Sequence, residues 1–517
     1  MDRKRILWVD DEIEQLRPHI ILLRERGYQV ETASNGEDAV DMAADGGYDL
    51  ILLDQVMPGA DGLSTLERIR EVAPSVPVVM VTKSEEEELM EEAIGKRVTD
   101  FLTKPVNPSQ VLSACKKIIE GKSIVEKKLP QDYVAQSNQL RSLLFAGPHW
   151  RDWIEIHRIL SEWDLELDRH KEAGLDQAQR DQRREFNLEF GKYIETWYPR
   201  WLRDEDPPPL SVDLVANGLY PLLASRRQVF FIVVDCMRLD QWLSIEPLLT
   251  DYFELKRDYY YSIIPTATPY SRNAIFSGLF PSEIAQFYPG LWSEGADEER
   301  SRNRYEKELL DNQLRKMGLK FKLEPKYVKV VKASEGEELV QKVASFAQIP
   351  LVSLVVNFLD LLTHGRSESE LLKELAPDES AFRSVMRSWF EHSTLFEILR
   401  FLSKRDFVVI LTTDHGSILG TRGTRAYGKK DTSTNLRYKY GDNLNCDPKE
   451  AILIKDPTEY KLPKLNISTN YIVAKEDYYF VYPTHYHKYL SRYRNSFQHG
   501  GISLEEMILP VVTLKPR

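Results

Sequence analysis

Short strand-like runs, most of them ending at or just before polar or charged residues, recur along this chain, and they restrict what it can fold into. In the first 121 residues, Arg5–Val9 leads into Asp10 and Asp11, Leu50–Leu53 into Asp54, Pro77–Val81 into Thr82, and Phe101–Thr103 into Lys104. Gln29–Ala33 is a fifth such run, and amphipathic helical patterns lie between them. The device returns after residue 211. There Val229–Val234 leads into Asp235, Pro350–Phe358 into Asp360 and His364, and Phe407–Leu411 into Thr412, Thr413, Asp414, His415 and Gly416. Apolar strands alternating with helices predict parallel α/β sheets. Ligands of such sheets bind in the crevice at the carboxyl ends of the strands. The chain is therefore expected to carry two α/β sheets, each with a polar site at that edge.

Between them, strand signals are few. Helical patterns cover Asp132–Leu144, Pro148–Trp163 and Gln177–Tyr198. Trp150, Trp153 and Leu160, and then Phe186, Phe190 and Ile194, recur at helical spacing and predict the core of a helical bundle. The acidic, proline-rich Asp204–Pro209 reads as a stiff linker. The expected domains are residues 1–121, 122–210 and 211–517.

Several classes are disfavoured. No apolar stretch approaches the roughly 20 residues of a membrane span, and the N-terminus reaches acids at once, unlike a signal peptide. Cys115, Cys236 and Cys446 are far apart. They form neither a disulfide framework nor a thiolate zinc site, and suit a reducing cytoplasm. A net charge of −11 argues against a broad duplex-DNA surface, and no helix-turn-helix pattern follows the first sheet.

Crowded carboxylates repel and need a cation such as Mg²⁺. Asp11 and Asp54 would supply side-chain ligands, and Asp54 could also accept a phosphoryl group. Thr82 and Lys104 would supply a hydroxyl and a charge for its oxygens. The stretches VDDE, LLDQVMPGADG, VTKS and LTKP resemble the motifs of two-component receiver domains. The resemblance implies that Asp54 is the phospho-acceptor and that Asp10 and Asp11 are the acidic pair. Asp11 would be the direct Mg²⁺ ligand, with Val56 lending its carbonyl. Thr82 and Lys104 would be the switch residues, and Lys104–Pro105 a cis bond. Phe101 stands at the family's aromatic switch position and lacks a hydroxyl. The run Glu85–Glu92 reads as a solvated helix face.

In the second α/β region, Ile264–Gly278, IPTATPYSRNAIFSG, follows the aromatic strand pattern Tyr259–Ile264. Pro265 and Pro269 interrupt regular helix, and Ser271 reads as an N-cap. Thr268 would lie on the turn before that helix, where free N–H groups favour an anion. A hydroxyl so placed can attack phosphorus when a metal makes it an alkoxide. Asp235, Asp360, His364, Asp414, His415 and His499 offer oxygen and imidazole ligands without thiolate, a set that fits two zinc ions or manganese. Thr421–Tyr440 and His485–Arg494 are basic islands interleaved with tyrosines, and such islands suit a flexible phosphate chain with exposed bases. Arg422, Arg425, Lys429 and Lys439, together with Arg272, are the candidate substrate contacts.

Asp235, Thr268–Gly278, Asp360–His364, Asp414–His415–Gly416 and the stretch HGGISLEE resemble the alkaline phosphatase superfamily, and within it the PglZ-type domains, over residues 225–515. The resemblance implies one metal held by Asp235, Thr268, Asp414 and His415, a second held by Asp360, His364 and His499, and Thr268 as the nucleophile. Ser271 and Arg272 stand where diesterases of that superfamily carry Asn and His, which leaves the substrate class open. The whole arrangement resembles PorX-type response regulators of Bacteroidetes. That implies a sensor histidine kinase as partner, two Zn²⁺ in the output domain, a phosphorylation-linked homodimer, and a link to type IX secretion. The expected function is a cytoplasmic phosphodiesterase for cyclic or short linear oligonucleotides, controlled by phosphorylation of Asp54. The competing expectation is a phosphorylation-dependent binding module for a sigma factor or secretion component. The filled set of ligand positions beside Thr268 weighs against it.

Overall fold

The computed structural model describes residues 4–58, 61–83, 98–171, 174–292, 303–428, 435–481 and 486–517. The run Glu85–Glu92, Lys429 and Lys430 lie outside them. The chain divides into two compact units, Met1–Ala135 and Gln136–Arg517.

In the first unit, β1 (Arg5–Val9), β2 (Gln29–Ala33), β3 (Leu50–Asp54), β4 (Val78–Thr82) and β5 (Asp100–Thr103) form a parallel sheet in the order β2-β1-β3-β4-β5. Every residue of β3 and β4 is buried. Their unbroken apolar character follows from helices covering both faces of a parallel sheet. Separate apolar clusters occupy those faces, one around Leu7, Leu53 and Met80 and the other around Trp8, Leu52 and Val79. Helix starts are fixed by side chains that accept otherwise unpaired N–H groups. Asn35 accepts from Asp38, Asp61 from Ser64, and Asn107 from Ser109, with Gln110 answering back to Asn107.

The second unit opens with helices that bury Trp153, Ile156 and Leu160 on Trp150–Arg169 and Phe186, Phe190 and Ile194 on Asp176–Trp201. The indole of Trp153 meets the Phe190 ring edge-on at 5.2 Å. The strands of this unit are β6 (Gln228–Val234), β7 (Phe253–Tyr261), β8 (Lys326–Val330), β9 (Leu351–Val356), β10 (Phe407–Thr412), β11 (Ile418–Gly420), β12 (Arg422–Arg425), β13 (Tyr438–Asp442), β14 (Ala451–Ile454), β15 (Thr469–Ala474), β16 (Tyr478–Val481), β17 (Ser496–Gln498) and β18 (Ile508–Pro516). Six of them form the central sheet, in the order β7-β18-β10-β6-β9-β8. β10, β6, β9 and β8 run parallel, and β18 lies antiparallel between β10 and β7. Three short sheets flank this one, pairing β11 with β17, β12 with β16, and β13 and β14 with β15. Among the described residues, no helix is long and apolar enough to cross a membrane.

Three local expectations need correction. The aromatic strand is Phe253–Tyr261 rather than Tyr259–Ile264, because its pairing with β18 ends at Tyr261↔Ile508. The next helix starts at Thr268, with Ala267 rather than Ser271 at its N-cap. Pro269 then sits in the first turn, where a missing N–H costs nothing. Asp204–Pro209 does not stand off as a free spacer. The Pro209 carbonyl accepts from Tyr261 N at 2.8 Å, and Leu210 bridges to Tyr261 in parallel. Within the second basic island, Tyr486–Tyr493 is helical. The Lys104–Pro105 bond is cis, and so is Ile264–Pro265.

Candidate functional site

In the first unit, Asp10, Asp11 and Asp54 stand at the ends of β1 and β3, each offering an oxygen within 4.8 Å of the others. Asp10 and Asp54 are buried and Asp11 is exposed. Lys104 Nζ reaches in from the end of β5, 2.8 Å from Asp10 Oδ2 and 2.9 Å from Asp54 Oδ2. The Thr82 hydroxyl donates to Gln55 Oε1. Burial raises the pKa of Asp54, and the Asp10 charge adds to the rise while Lys104 opposes it. The cluster thus has an open side at Asp11 and a built-in ammonium opposite.

In the second unit the parallel order β10-β6-β9 delivers Asp414, Asp235 and the helix Phe358–Glu368 to one edge of the sheet. Asp235, Asp414 and His415 converge within 4.8 Å, as do Asp360, His364 and His499. Asp360 and His364 share a helix face one turn apart, with His364 Nε2 3.4 Å from Asp360 Oδ1. His499 follows β17, whose pairing with β11 lays the His499 ring on that of His415, centroids 4.3 Å apart. Its Nε2 lies 3.1 Å from His364 Nε2. Thr268 Oγ1 sits 2.9 Å from His415 Nε2 and 3.4 Å from Asp235 Oδ1. The Thr268 helix closes at Gly278, whose φ of +64° is the left-handed cap that glycine adopts without strain. Gly416 has a different constraint: a Cβ there would run into the Glu505 carbonyl oxygen.

Asp235 and Asp414, both fully buried, stand near the half-buried Asp360, and carboxylates so crowded cannot all ionise unaided. Burial, with Asp414 and Asp360 adding and Arg272 opposing, pushes Asp235 up to about 8. Burial pushes Asp414 up to about 6. Burial holds the His499 imidazole well below its usual range, and the charge of His415 adds to this. Asp414 Oδ2 is buried and accepts no hydrogen bond, lying 3.7 Å from His415 Nε2 and 3.9 Å from Arg272 Nη1. An oxygen and imidazole donor set with an unsatisfied buried carboxylate oxygen fits divalent cations. Asp235, Thr268, Asp414 and His415 would hold one, and Asp360, His364 and His499 the other.

The basic side chains read as substrate contacts are mostly engaged inside the fold. Arg272 is 1% exposed, with Nη1 2.5 Å from Asp235 Oδ2 and Nε on Glu306 Oε1. Arg422 pairs with Glu476 and Asp477. Lys439 is 1% exposed and donates to the Asn435 carbonyl at 3.0 Å. Arg425 is exposed, and Lys429 lies outside the described residues. Charge alone could not separate a solvent-facing cation from one neutralised by an acid distant in sequence.

The structure also brings in residues that the sequence reading passed over. Asn357 Nδ2 donates to Asp235 Oδ2 at 2.7 Å. Glu306 holds Arg272 and accepts from Tyr327 and Asn303, and Asn303 Nδ2 reaches the Thr268 carbonyl at 3.2 Å. Asn357 had one legible signal, a polar residue near the end of the apolar run Pro350–Phe358; Glu306 had none.

Three protein families match consecutive parts of the chain. Residues 6–116 match the response regulator receiver domain, 123–202 the PorX response regulator linker domain, and 216–514 the BREX system PglZ alkaline phosphatase-like domain. The last match takes in more than half of the chain. Curated relatives match through the receiver region. The transcriptional regulatory protein ResD of Bacillus subtilis is 34% identical over 119 residues, 23% of this chain and 49% of ResD. The regulatory protein DltR of Streptococcus agalactiae is 29% identical over 137 residues, 26% of this chain and 57% of DltR. The chain thus spans about half the length of the curated relatives it matches. Among solved structures, the chemotaxis protein CheY4 of Vibrio cholerae is 28% identical, covering 23% of this chain and 99% of CheY4, with a TM-score of 0.22. The receiver domain of the sensor histidine kinase PA1611 of Pseudomonas aeruginosa gives the same four values.

Fold and matches together define a response regulator, an α/β receiver joined to an alkaline phosphatase-like α/β output domain. With the PorX linker between those two domains, the chain belongs to the PorX-type response regulators. Receiver domains bind Mg²⁺ and take their phosphoryl group from a donor such as a sensor kinase. Alkaline phosphatase-like domains are metal-dependent, and this one points to a phosphoester hydrolase.

Proposed function

We propose that the output domain is a two-zinc phosphodiesterase for cyclic or short linear oligonucleotides, with Thr268 as nucleophile and phosphorylation of Asp54 as control. The observation that carries this reading is the position of Thr268 Oγ1, 2.9 Å from His415 Nε2 at the head of a helix, beside two converging ligand groups. When bound, the metals supply Lewis acidity that favours the Thr268 alkoxide and gathers the non-bridging phosphoryl oxygens.

The chain's own groups do the rest. The helix N-terminus favours the incoming anion. Asn303 holds the Thr268 carbonyl, and Arg272 and Asn357 fix the Asp235 carboxylate from behind. The Thr268 oxygen–phosphorus bond forms as the bond to the leaving alcohol breaks, and the proton lost by Thr268 balances the one gained by that alcohol. Water then cleaves the threonyl ester and restores the hydroxyl. Because Arg272 is tied to Asp235 and Glu306, it is not available to receive the second charge of a monoester dianion, which favours a diester. A role in type IX secretion, a sensor kinase upstream and a phosphorylation-linked homodimer complete this reading, which the membership of the PorX-type regulators suggests.

Thr268→Val tests the assignment. Hydrolysis of bis(4-nitrophenyl) phosphate and of a dinucleotide panel should fall on the order of 10³-fold or more, with zinc content unchanged. Undiminished turnover would remove Thr268 from the role, and hydrolysis of monoesters alone would overturn the diester assignment. A normal secretion phenotype in a hydrolysis-dead Thr268→Val strain would favour the binding-module reading.

A further inference from the structure

One helix of the linker touches two of the loops that carry the reactive groups. Asp176–Trp201 turns Arg183, Asn187 and Tyr198 toward the output sheet, and these side chains are 6%, 4% and 0% exposed. Asn187 Oδ1 accepts from Leu504 N at 2.8 Å, and its Nδ2 donates to Glu505 Oε2 at 3.1 Å. Arg183 Nη1 donates to Glu505 Oε1 at 2.7 Å, while Nε donates to Asp164 Oδ2 at 2.8 Å on the neighbouring linker helix. The Tyr198 hydroxyl accepts from Ile264 N at 3.1 Å. Leu504 and Glu505 lie just beyond His499, and Ile264 just before Thr268. Glu505 also bears on a third loop, since its carbonyl leaves Gly416, next to His415, no room for a side chain. Phe190 and Ile194, both fully buried, pack the helix between its two points of grip.

We propose that Arg183, Asn187 and Tyr198 are positioning residues, holding the His499 and Thr268 loops in register from the linker, so that the seating of this helix sets the activity of the output domain. The proposal rests on the hydrolytic reading above. A buried charge pair cannot be parted without stranding one partner, so a shift of the helix must carry Glu505 with it or strand it. Reactive constellations tolerate only about 0.5 Å of such movement.

The test compares three variants of the full chain. Tyr198→Phe and Asn187→Leu each remove a grip, whereas Gln182→Ala removes a hydrogen bond of the same helix that goes to Ser137 instead. In the metal-free chain, amide exchange should quicken by about 10-fold or more at Ile264 in Tyr198→Phe and at Leu504 in Asn187→Leu, and at neither position in Gln182→Ala. In the Co²⁺-loaded chain, Asn187→Leu should change the visible absorption of the His499 site, and Tyr198→Phe should leave it alone. The kcat on bis(4-nitrophenyl) phosphate should drop about 10- to 100-fold in both grip variants, with KM held and with Gln182→Ala near wild type. Unchanged exchange at Ile264 and Leu504 would overturn the proposal. So would equal losses of kcat in all three variants that follow their urea midpoints. A wild-type chain without turnover would refute the hydrolytic reading, and the exchange and absorption readouts would then decide the positioning role alone.

Discussion

Asp10, Asp11 and Asp54 lie at the carboxyl ends of β1 and β3 much as Asp235 and Asp414 lie at the ends of β6 and β10, but their neighbours differ. The receiver cluster carries its own cation, Lys104, within 3 Å of two carboxylates, and Asp11 opens it to water. The output cluster is buried at Asp235, Asp414, His415 and His499 and reaches the surface at His364. Its imidazoles come from a helix, a strand end and a loop after β17, and its nearest guanidinium is shared with Glu306. A fixed ammonium lets carboxylates stay together while a metal comes and goes, and an exposed edge admits a phosphodonor. Burial holds Asp235 and Asp414 up in pKa although Arg272 opposes the rise, so those two carboxylates call for a further cation before both ionise.

That contrast can be broken in several places. Asp54→Asn should abolish uptake of phosphoryl groups from acetyl phosphate entirely, while inductively coupled plasma analysis finds the metal content of the output domain untouched. A loss of output metal in this variant would mean that the two centres are not independent. His499→Ala should lower bound zinc from two ions per chain to one. It should also reduce diester hydrolysis by more than the roughly 10–100-fold typical of outer partners; two ions retained by equilibrium dialysis would remove His499 from the ligand set. Arg272→Met should weaken metal affinity by about 10–100-fold without changing metal stoichiometry, which isothermal titration would show. The mildest effect concerns Lys439, whose burial depresses its pKa to about 8 from 10.5. A depressed lysine holds its proton longer in the unfolded chain, so stability should rise as pH climbs from about 8 through 10.5. Lys439→Met should lose that rise and gain up to about 3 kcal/mol at pH 7, read as urea midpoints at pH 7 and pH 10.

Much of this architecture was legible because strands buried on both faces announce themselves as unbroken apolar runs. β6, β9 and β10 are such runs, and β1 to β5 differ from their sequence readings by a residue or less at either end. The acids after those runs were legible too, because polar residues at the end of a buried strand must find water, a partner or an ion. Other features were hidden for equally physical reasons. The helix at Thr268 begins on an alanine N-cap, which carries no side-chain signal. Arg272, Arg422, Lys439 and Arg425 looked alike as cations, and only the tertiary structure buries Arg272 and Lys439, half-buries Arg422 and leaves Arg425 exposed.

By itself the sequence determined the two α/β sheets, the helical stretch between them and the strand-end residues from which a site can be built, because burial and backbone periodicity act locally and leave a local trace. Only the tertiary structure decided that β11 and β17 bring His499 onto His415, that Glu306 draws Arg272 inward, and that Arg183, Asn187 and Tyr198 of one linker helix reach two loops of the output sheet. Those pairings join residues tens to hundreds of positions apart, and no run of the chain records which distant charge or hydrogen bond will satisfy a buried group.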